Sequence, residues 1–104
     1  MSLTMDAVKI NAKDFIDESK PVIDAANAIG AKAAAQLRAG GSVIVSVLGV
    51  RGVSSSFFNV ILSAVAPILH NDFSDERFVV ETETKTQSMI LKRSIDALSP
   101  RAAD

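Results

Sequence analysis

Three consecutive serines, Ser54 to Ser56, separate a glycine-containing turn from an apolar run that begins at Phe57. The residues before them favour a strand and those after them favour a helix, so we expect the serines at a helix start. Helix N-terminal N–H groups and the helix dipole favour negative charge, so a phosphate on one of these hydroxyls would be stabilised there. The alternative is that the serines serve only as helix caps.

The other reactive side chains suggest no catalytic arrangement. His70 is the single histidine, Asp72 and Asp75 follow it in a polar segment, and the chain has no Cys. His70 lies about four helical turns, roughly 20 Å, from the serines, too far to act as their base. Gly49-x-x-Gly52 lacks the P-loop lysine and the GxGxxG spacing, so its glycines are expected only to turn a strand into a helix. We therefore expect no enzyme, no metal site and no cofactor.

Composition restricts the class of protein further. The 104 residues carry a net charge of −1 and are 48% hydrophobic. We expect one domain over residues 1–104, with residues 1–5 an expression leader and residues 100–104 a frayed tail. Near-neutral charge disfavours nucleic-acid binding, and the apolar stretches are too short to span a membrane. The prediction is a cytoplasmic protein, which the lack of Cys also fits.

Hydrophobic periodicity predicts six alternating elements. The strands are expected at Ala7–Ile10, Ser42–Leu48 and from Phe78 to Val80. The first helix has Ser19 as N-cap and an apolar face of Val22, Ala26, Ile29, Ala33 and Leu37. The second helix is expected from Ser54 to about His70, and Pro67 should kink or shorten its last turn. The third helix is expected to begin after Thr86 as N-cap and to have Leu91, Ile95 and Leu98 on one face.

The alternation predicts an α/β fold in the order β-α-β-α-β-α, with a mainly parallel or mixed sheet and covering helices. Ser42–Leu48 is apolar on both faces, which predicts a central strand covered on both sides. In the second helix, the spacing predicts that Phe57, Ile61, Val65 and Leu69 pack on the sheet. Gly30 either weakens the first helix or lets it pack closely on a neighbour.

Residues 41–62, GSVIVSVLGVRGVSSSFFNVIL, resemble the core of a STAS domain, the fold of bacterial anti-sigma factor antagonists. The Val-x-x-Ser-Phe ending, residues 53–57, is most similar to the STAS-like branch of that family. The antagonists carry the motif Asp-Ser-Ser-Gly, which falls on Ser54, Ser55, Ser56 and Phe57, with the family's strand Asp on Ser46. The resemblance implies a single STAS-like domain in which a partner kinase phosphorylates a serine, here Ser55.

From this resemblance we expect a non-enzymatic regulatory module that binds a histidine-kinase-like ATPase domain, acting as serine kinase or anti-sigma factor. Ser55 is the first candidate phospho-acceptor, with Ser54 and Ser56 as neighbours or alternatives. The expected contact residues are Arg51, Phe58 and Asn59. Two other classes remain open. One is a small-molecule or nucleotide-binding module at residues 49–56, and the other is a homo-oligomerising domain, possible as a homodimer if the second helix exposes its apolar stripe.

Overall fold

Helices and strands alternate along the chain in the order that the hydrophobic pattern predicts. The structure, a computed structural model, describes residues 7–98. The elements are β1 (Ala7–Asn11), a 3-10 turn (Ala12–Phe15), α1 (Val22–Arg38), β2 (Ser42–Ser46), α2 (Ser55–Leu69), β3 (Phe78–Glu81) and α3 (Lys85–Leu98). The α/β class and the order β-α-β-α-β-α are confirmed. The expected leader and the tail beyond Leu98 lie outside the described residues.

The three strands form one parallel sheet in the order β1-β2-β3, so the prediction that β2 is the central strand is confirmed. Right-handed crossovers between neighbouring strands bring successive helices to the same face of the sheet. Accordingly α1 packs closely against α2, over the face that carries the buried Val43 and Val45.

The opposite face of the sheet carries Lys9, Ile44 and Val79, which lie side by side across the three strands. Val79 is 45% exposed and Ile44 is only partly buried. The expectation that helices cover β2 on both sides is therefore wrong. The physical reason is that Ser42 and Ser46 flank Ile44 on this face, so β2 offers it a single large apolar side chain.

Helix α2 lies at the centre of the core. Phe57, Ile61, Val65 and Leu69 are all at most 2% exposed and belong to the hydrophobic core. The helix continues for two residues beyond Pro67 and ends at Leu69, where His70 adopts a left-handed conformation. Pro67 therefore lies in the last turn of α2, where its missing N–H removes one helical hydrogen bond close to the point at which the helix ends.

Helix α1 buries most of the face predicted for it. Ala26, Ile29, Ala33 and Leu37 are at most 2% exposed, whereas Val22 is 47% exposed and was wrongly assigned to that face. Val22 is the first helical residue, before the point where α1 reaches the core. The N-cap position is Pro21, not Ser19, because the Ser19 hydroxyl donates to the carboxylate of Asp17 in the preceding turn.

Helices α1 and α2 approach each other closely at Gly30. A Cβ atom added at Gly30 would lie 2.9 Å from the Cβ of Ala64 and 3.5 Å from the Cα of Ile61. The absence of a side chain therefore lets the two helices pack backbone to backbone. Of the two interpretations of Gly30, close packing on a neighbour is the one that the structure supports.

Candidate functional site

Two loops meet at the carboxyl edge of the sheet. Residues 47–54 connect β2 to α2, and residues 82–84 connect β3 to α3. Because the strands are parallel and adjacent, both loops leave the sheet on the same side. All of the site residues predicted from the sequence lie in the first loop or at the start of α2.

The three serines at the start of α2 differ in what they do. Ser54 is the N-cap, and its hydroxyl oxygen accepts a hydrogen bond of 3.3 Å from the N–H of Phe57. Ser55 and Ser56 are the first two helical residues, and both are exposed. The Ser55 carbonyl accepts a hydrogen bond of 3.4 Å from the hydroxyl of Ser94 on α3. Capping thus accounts for Ser54 and leaves the hydroxyls of Ser55 and Ser56 facing solvent.

The three predicted contact residues have different surroundings. Arg51 is exposed in the loop, and Asn59 is partly buried beside a shallow groove between α1 and α2. Phe58 is 1% exposed and packs edge to face against Phe57, with ring centroids 6.0 Å apart. The prediction that Phe58 contacts a partner is therefore wrong. The Phe58 side chain belongs to the buried core cluster and is not available to a partner.

A capping box, missed in the sequence, begins α3. Thr84 accepts a hydrogen bond of 3.1 Å from the N–H of Gln87, while Gln87 Oε1 accepts one of 3.2 Å from the N–H of Thr84. The N-cap is therefore Thr84, and the prediction of Thr86 is wrong. The pattern Thr-x-x-Gln is a known sign of a helix start and was available in the sequence.

Gln87 also joins the two loops. Its side chain amide donates to the carbonyl of Val50 at 3.1 Å and that of Val47 at 3.5 Å, and its Oε1 accepts from the N–H of Glu83 at 2.7 Å. The residue is only 7% exposed. A buried amide with its hydrogen bonds satisfied on both loops fixes their relative position. The sequence analysis does not identify Gln87 as a site residue.

A second contact between the loops involves Glu83, whose Oε1 accepts a hydrogen bond of 2.9 Å from the N–H of Gly49. Gly49 and Gly52 have φ values of +80° and +71°, which glycine adopts without strain. This agrees with the expectation that the glycines of Gly49-x-x-Gly52 reverse the chain between strand and helix. The loop shape is therefore set by glycine conformation and by side chains from the β3–α3 connection.

An open cavity of about 630 Å³ lies between the two loops. Its walls are residues 49–53 on one side and Glu83, Thr84, Thr86, Gln87 and Ile90 on the other. The serine cluster is not part of this lining. The carboxyl edge of the sheet thus carries two separate features, the exposed serines at the start of α2 and the cavity between the loops.

Charged groups with a shifted pKa lie away from the cavity. Hydrogen bonds from Ser46 and Lys9 hold the pKa of the Glu81 carboxyl below its ordinary value, and Lys9 Nζ lies 3.3 Å from Glu81 Oε1. In the loop before β3, hydrogen bonds from Arg77 lower the pKa of Asp75. These pairs stabilise the fold locally and provide no acid or base beside the serines.

Within residues 7–98, no group of three or more His, Cys, Asp or Glu side chains is arranged to hold a metal ion. None of the helices described in this part of the chain combines the length and the apolar character needed to cross a membrane. Comparison with protein-family models, with curated proteins and with solved structures finds no match to this chain.

Proposed function

We propose that this chain is a non-enzymatic regulatory module of the STAS-like type, whose binding to a protein partner is controlled by phosphorylation of Ser55. The proposed partner is a bacterial histidine-kinase-like ATPase domain that acts as serine kinase or anti-sigma factor in the cytoplasm. The resemblance of residues 41–62 to the STAS-like core supports this choice of partner. Ser54 and Ser56 are the neighbouring candidate acceptors.

The observation that carries the proposal is that the three serines have different roles in the structure. Ser54 supplies the helix cap, so the hydroxyl of Ser55 is not needed to start α2 and faces solvent. The first turn of α2 contains no acidic residue, so a phosphate there would meet the positive end of the helix dipole without a competing carboxylate on that turn. A kinase can reach this hydroxyl without unfolding the helix.

The chemical effect of the modification would be local. A phosphate adds roughly −1.5 to −2 charge at neutral pH. A partner that docks over Ser55 and Arg51 would have to desolvate that charge, which opposes binding. The Ser94 hydroxyl contacts the Ser55 carbonyl and not its side chain, so the modified hydroxyl leaves the α2–α3 contact in place. The phosphorylated protein should therefore remain folded and lose only its partner.

The proposal is tested by affinity capture from the cell that encodes the protein, with mass spectrometry of what is captured. Wild type should retain a protein with a histidine-kinase-like ATPase domain, and Ser55→Asp should lose it. Ser55→Asn introduces a side chain of nearly the same shape as aspartate but without the charge, and this variant should retain the partner. Ser63→Asp places the same charge at another exposed site, about 12 Å further along α2, and should also retain it.

The thermal unfolding midpoint of each variant separates switching from misfolding. Ser55→Asp should melt at or above the wild-type temperature because the charge is stabilised by the helix dipole. If Ser55→Asp unfolds, or if Ser55→Asn releases the same protein, the serines act only as structural residues. Intact-mass measurement of protein from its own cell should show a species heavier by one phosphate.

A further inference from the structure

We propose that the cavity between residues 49–53 and α3 binds a small organic anion, a compact apolar body that carries one carboxylate or phosphate. The proposed ligand site does not depend on the serine switch, because the serines do not line the cavity.

The position and size of the cavity suit a ligand. It lies beyond the carboxyl ends of β2 and β3, which is where parallel α/β sheets bind ligands. Its volume of about 630 Å³ falls within the range of small-molecule sites. It is the space left between two loops that are joined on one side by Gln87 and on another by the hydrogen bond from Gly49 to Glu83.

The lining determines the class of ligand. Val50, Val53 and Ile90 form an apolar wall, and all three belong to or pack against the hydrophobic core. Arg51 supplies the cation of the cavity, and within residues 7–98 no carboxylate lies within ion-pair distance of it. A guanidinium group that has no ion-pair partner among residues 7–98 and lies beside an apolar wall fits a carboxylate or phosphate attached to an apolar body.

The acidic side chain of the cavity does not neutralise this arginine. Glu83 also lines the cavity, but its Oε1 is held by the N–H of Gly49, and Glu83 forms no ion pair with Arg51. The charged groups of Glu83 and Arg51 therefore lie beyond ion-pair distance of each other. An anion is expected beside Arg51, with its apolar part directed towards Ile90 and away from Glu83.

The walls are held in place before any ligand binds. Gln87 makes hydrogen bonds to Val50 on one loop and to Glu83 and Thr84 on the other. A preformed site loses little conformational entropy on binding, so even a small ligand can bind measurably. For this reason simple aromatic anions are suitable probes.

The test is a titration of the ¹⁵N-labelled full chain, followed by amide chemical shifts. The probes are phenyl phosphate and benzoate, with benzyl alcohol as the neutral analogue and inorganic phosphate as the anion alone. Phenyl phosphate, benzoate or both should shift the amides of Gly52, Val53 and Thr86 with saturation at millimolar concentration or below. Benzyl alcohol and inorganic phosphate should bind at least about tenfold more weakly, because benzyl alcohol lacks the anionic group and inorganic phosphate lacks the apolar body.

Variants assign the binding to this cavity. Arg51→Gln should lower the affinity for the aromatic anions about tenfold. Arg38→Gln, which removes an exposed arginine at the C-terminal end of α1, should leave the affinity unchanged. Thr86→Phe should fill the cavity and weaken all the probes. Saturation by one aromatic anion but not the other identifies the anionic group.

Three outcomes would overturn the proposal: no saturable shift with either aromatic anion, equal affinity for benzyl alcohol, or unchanged affinity in Arg51→Gln. No partner protein enters this experiment, so its failure leaves the serine switch standing. Loss of the switch would likewise leave the ligand site standing.

Discussion

Replacement of Gly30 by alanine sets two effects of known size against each other. Alanine favours an α-helix over glycine by about 1 kcal/mol, so the helix alone would gain stability. The new Cβ would lie 2.9 Å from the Cβ of Ala64, a distance at which one of the helices must move. Overpacking of this kind costs about 1–3 kcal/mol. The expected net change is therefore a loss of between 0 and about 2 kcal/mol, although the substitution favours helix formation.

The reciprocal variant separates the two effects. Ala64→Gly alone should lose about 1 kcal/mol of helix propensity plus the burial of one methyl group. In the double variant Gly30→Ala/Ala64→Gly the methyl group moves from α2 to α1, so the clash disappears and the propensities cancel. The double variant should lie close to wild type, which corresponds to a favourable coupling free energy of about 2–4 kcal/mol, the relieved overpacking plus the restored methyl burial.

Urea unfolding of the four proteins, followed by circular dichroism, measures these free energies. Ala31→Gly, at an exposed position next to Gly30, calibrates the helix-propensity effect in α1 itself. The reasoning is refuted if Gly30→Ala gains the full propensity of about 1 kcal/mol, or if the coupling is below about 0.5 kcal/mol. Either result would mean that the helices do not meet at Gly30.

Three further predictions concern the core, the loops and pH. Ile61→Ala should lower the free energy of unfolding by about 2–5 kcal/mol in urea denaturation, because Ile61 is 1% exposed. Gln87→Leu should cost at least about 2 kcal/mol by leaving buried loop groups unpaired. Gln87→Glu should cost at least as much at neutral pH, because its second carboxylate oxygen would face the carbonyl oxygens of Val47 and Val50. Folding lowers the pKa of Glu81, so its carboxylate stabilises the folded protein at pH values above 4.5, its ordinary pKa. This stabilisation is lost as the pH falls through the lowered pKa of the folded state. Unfolding measured between neutral and acid pH should show a weaker loss of stability for Glu81→Gln than for wild type.

The sequence predicted the elements well because local patterns determine them. The β-branched apolar run that begins at Ser42 predicts a strand there, and the helical spacing from Phe57 to Leu69 predicts the helix; the structure has both elements, and the apolar positions of α2 are buried. The same patterns did not show which side of a wide apolar stripe another helix would cover. Phe58 is therefore predicted as a contact residue from the sequence, although its side chain is part of the buried core.

The candidate site was harder to predict because it combines distant segments. The serine cluster could be located from local signals, and the capping role of Ser54 follows from them. The cavity depends on hydrogen bonds from Gln87 to residues about forty positions earlier, for example 40 to Val47 and 37 to Val50. Such pairings depend on the tertiary arrangement, and no periodicity in either segment reports them.

The order of strands in the sheet has a consequence for synthesis on the ribosome. Because β1, β2 and β3 are neighbours in the order of the chain, each new strand can pair with the one made just before it. The layer of α1 and α2 can therefore assemble while the C-terminal segment is still being translated. The side-chain amide that holds the β2–α2 loop comes from Gln87 on α3, so in a nascent chain the cavity between the loops can form only after α3 has been made.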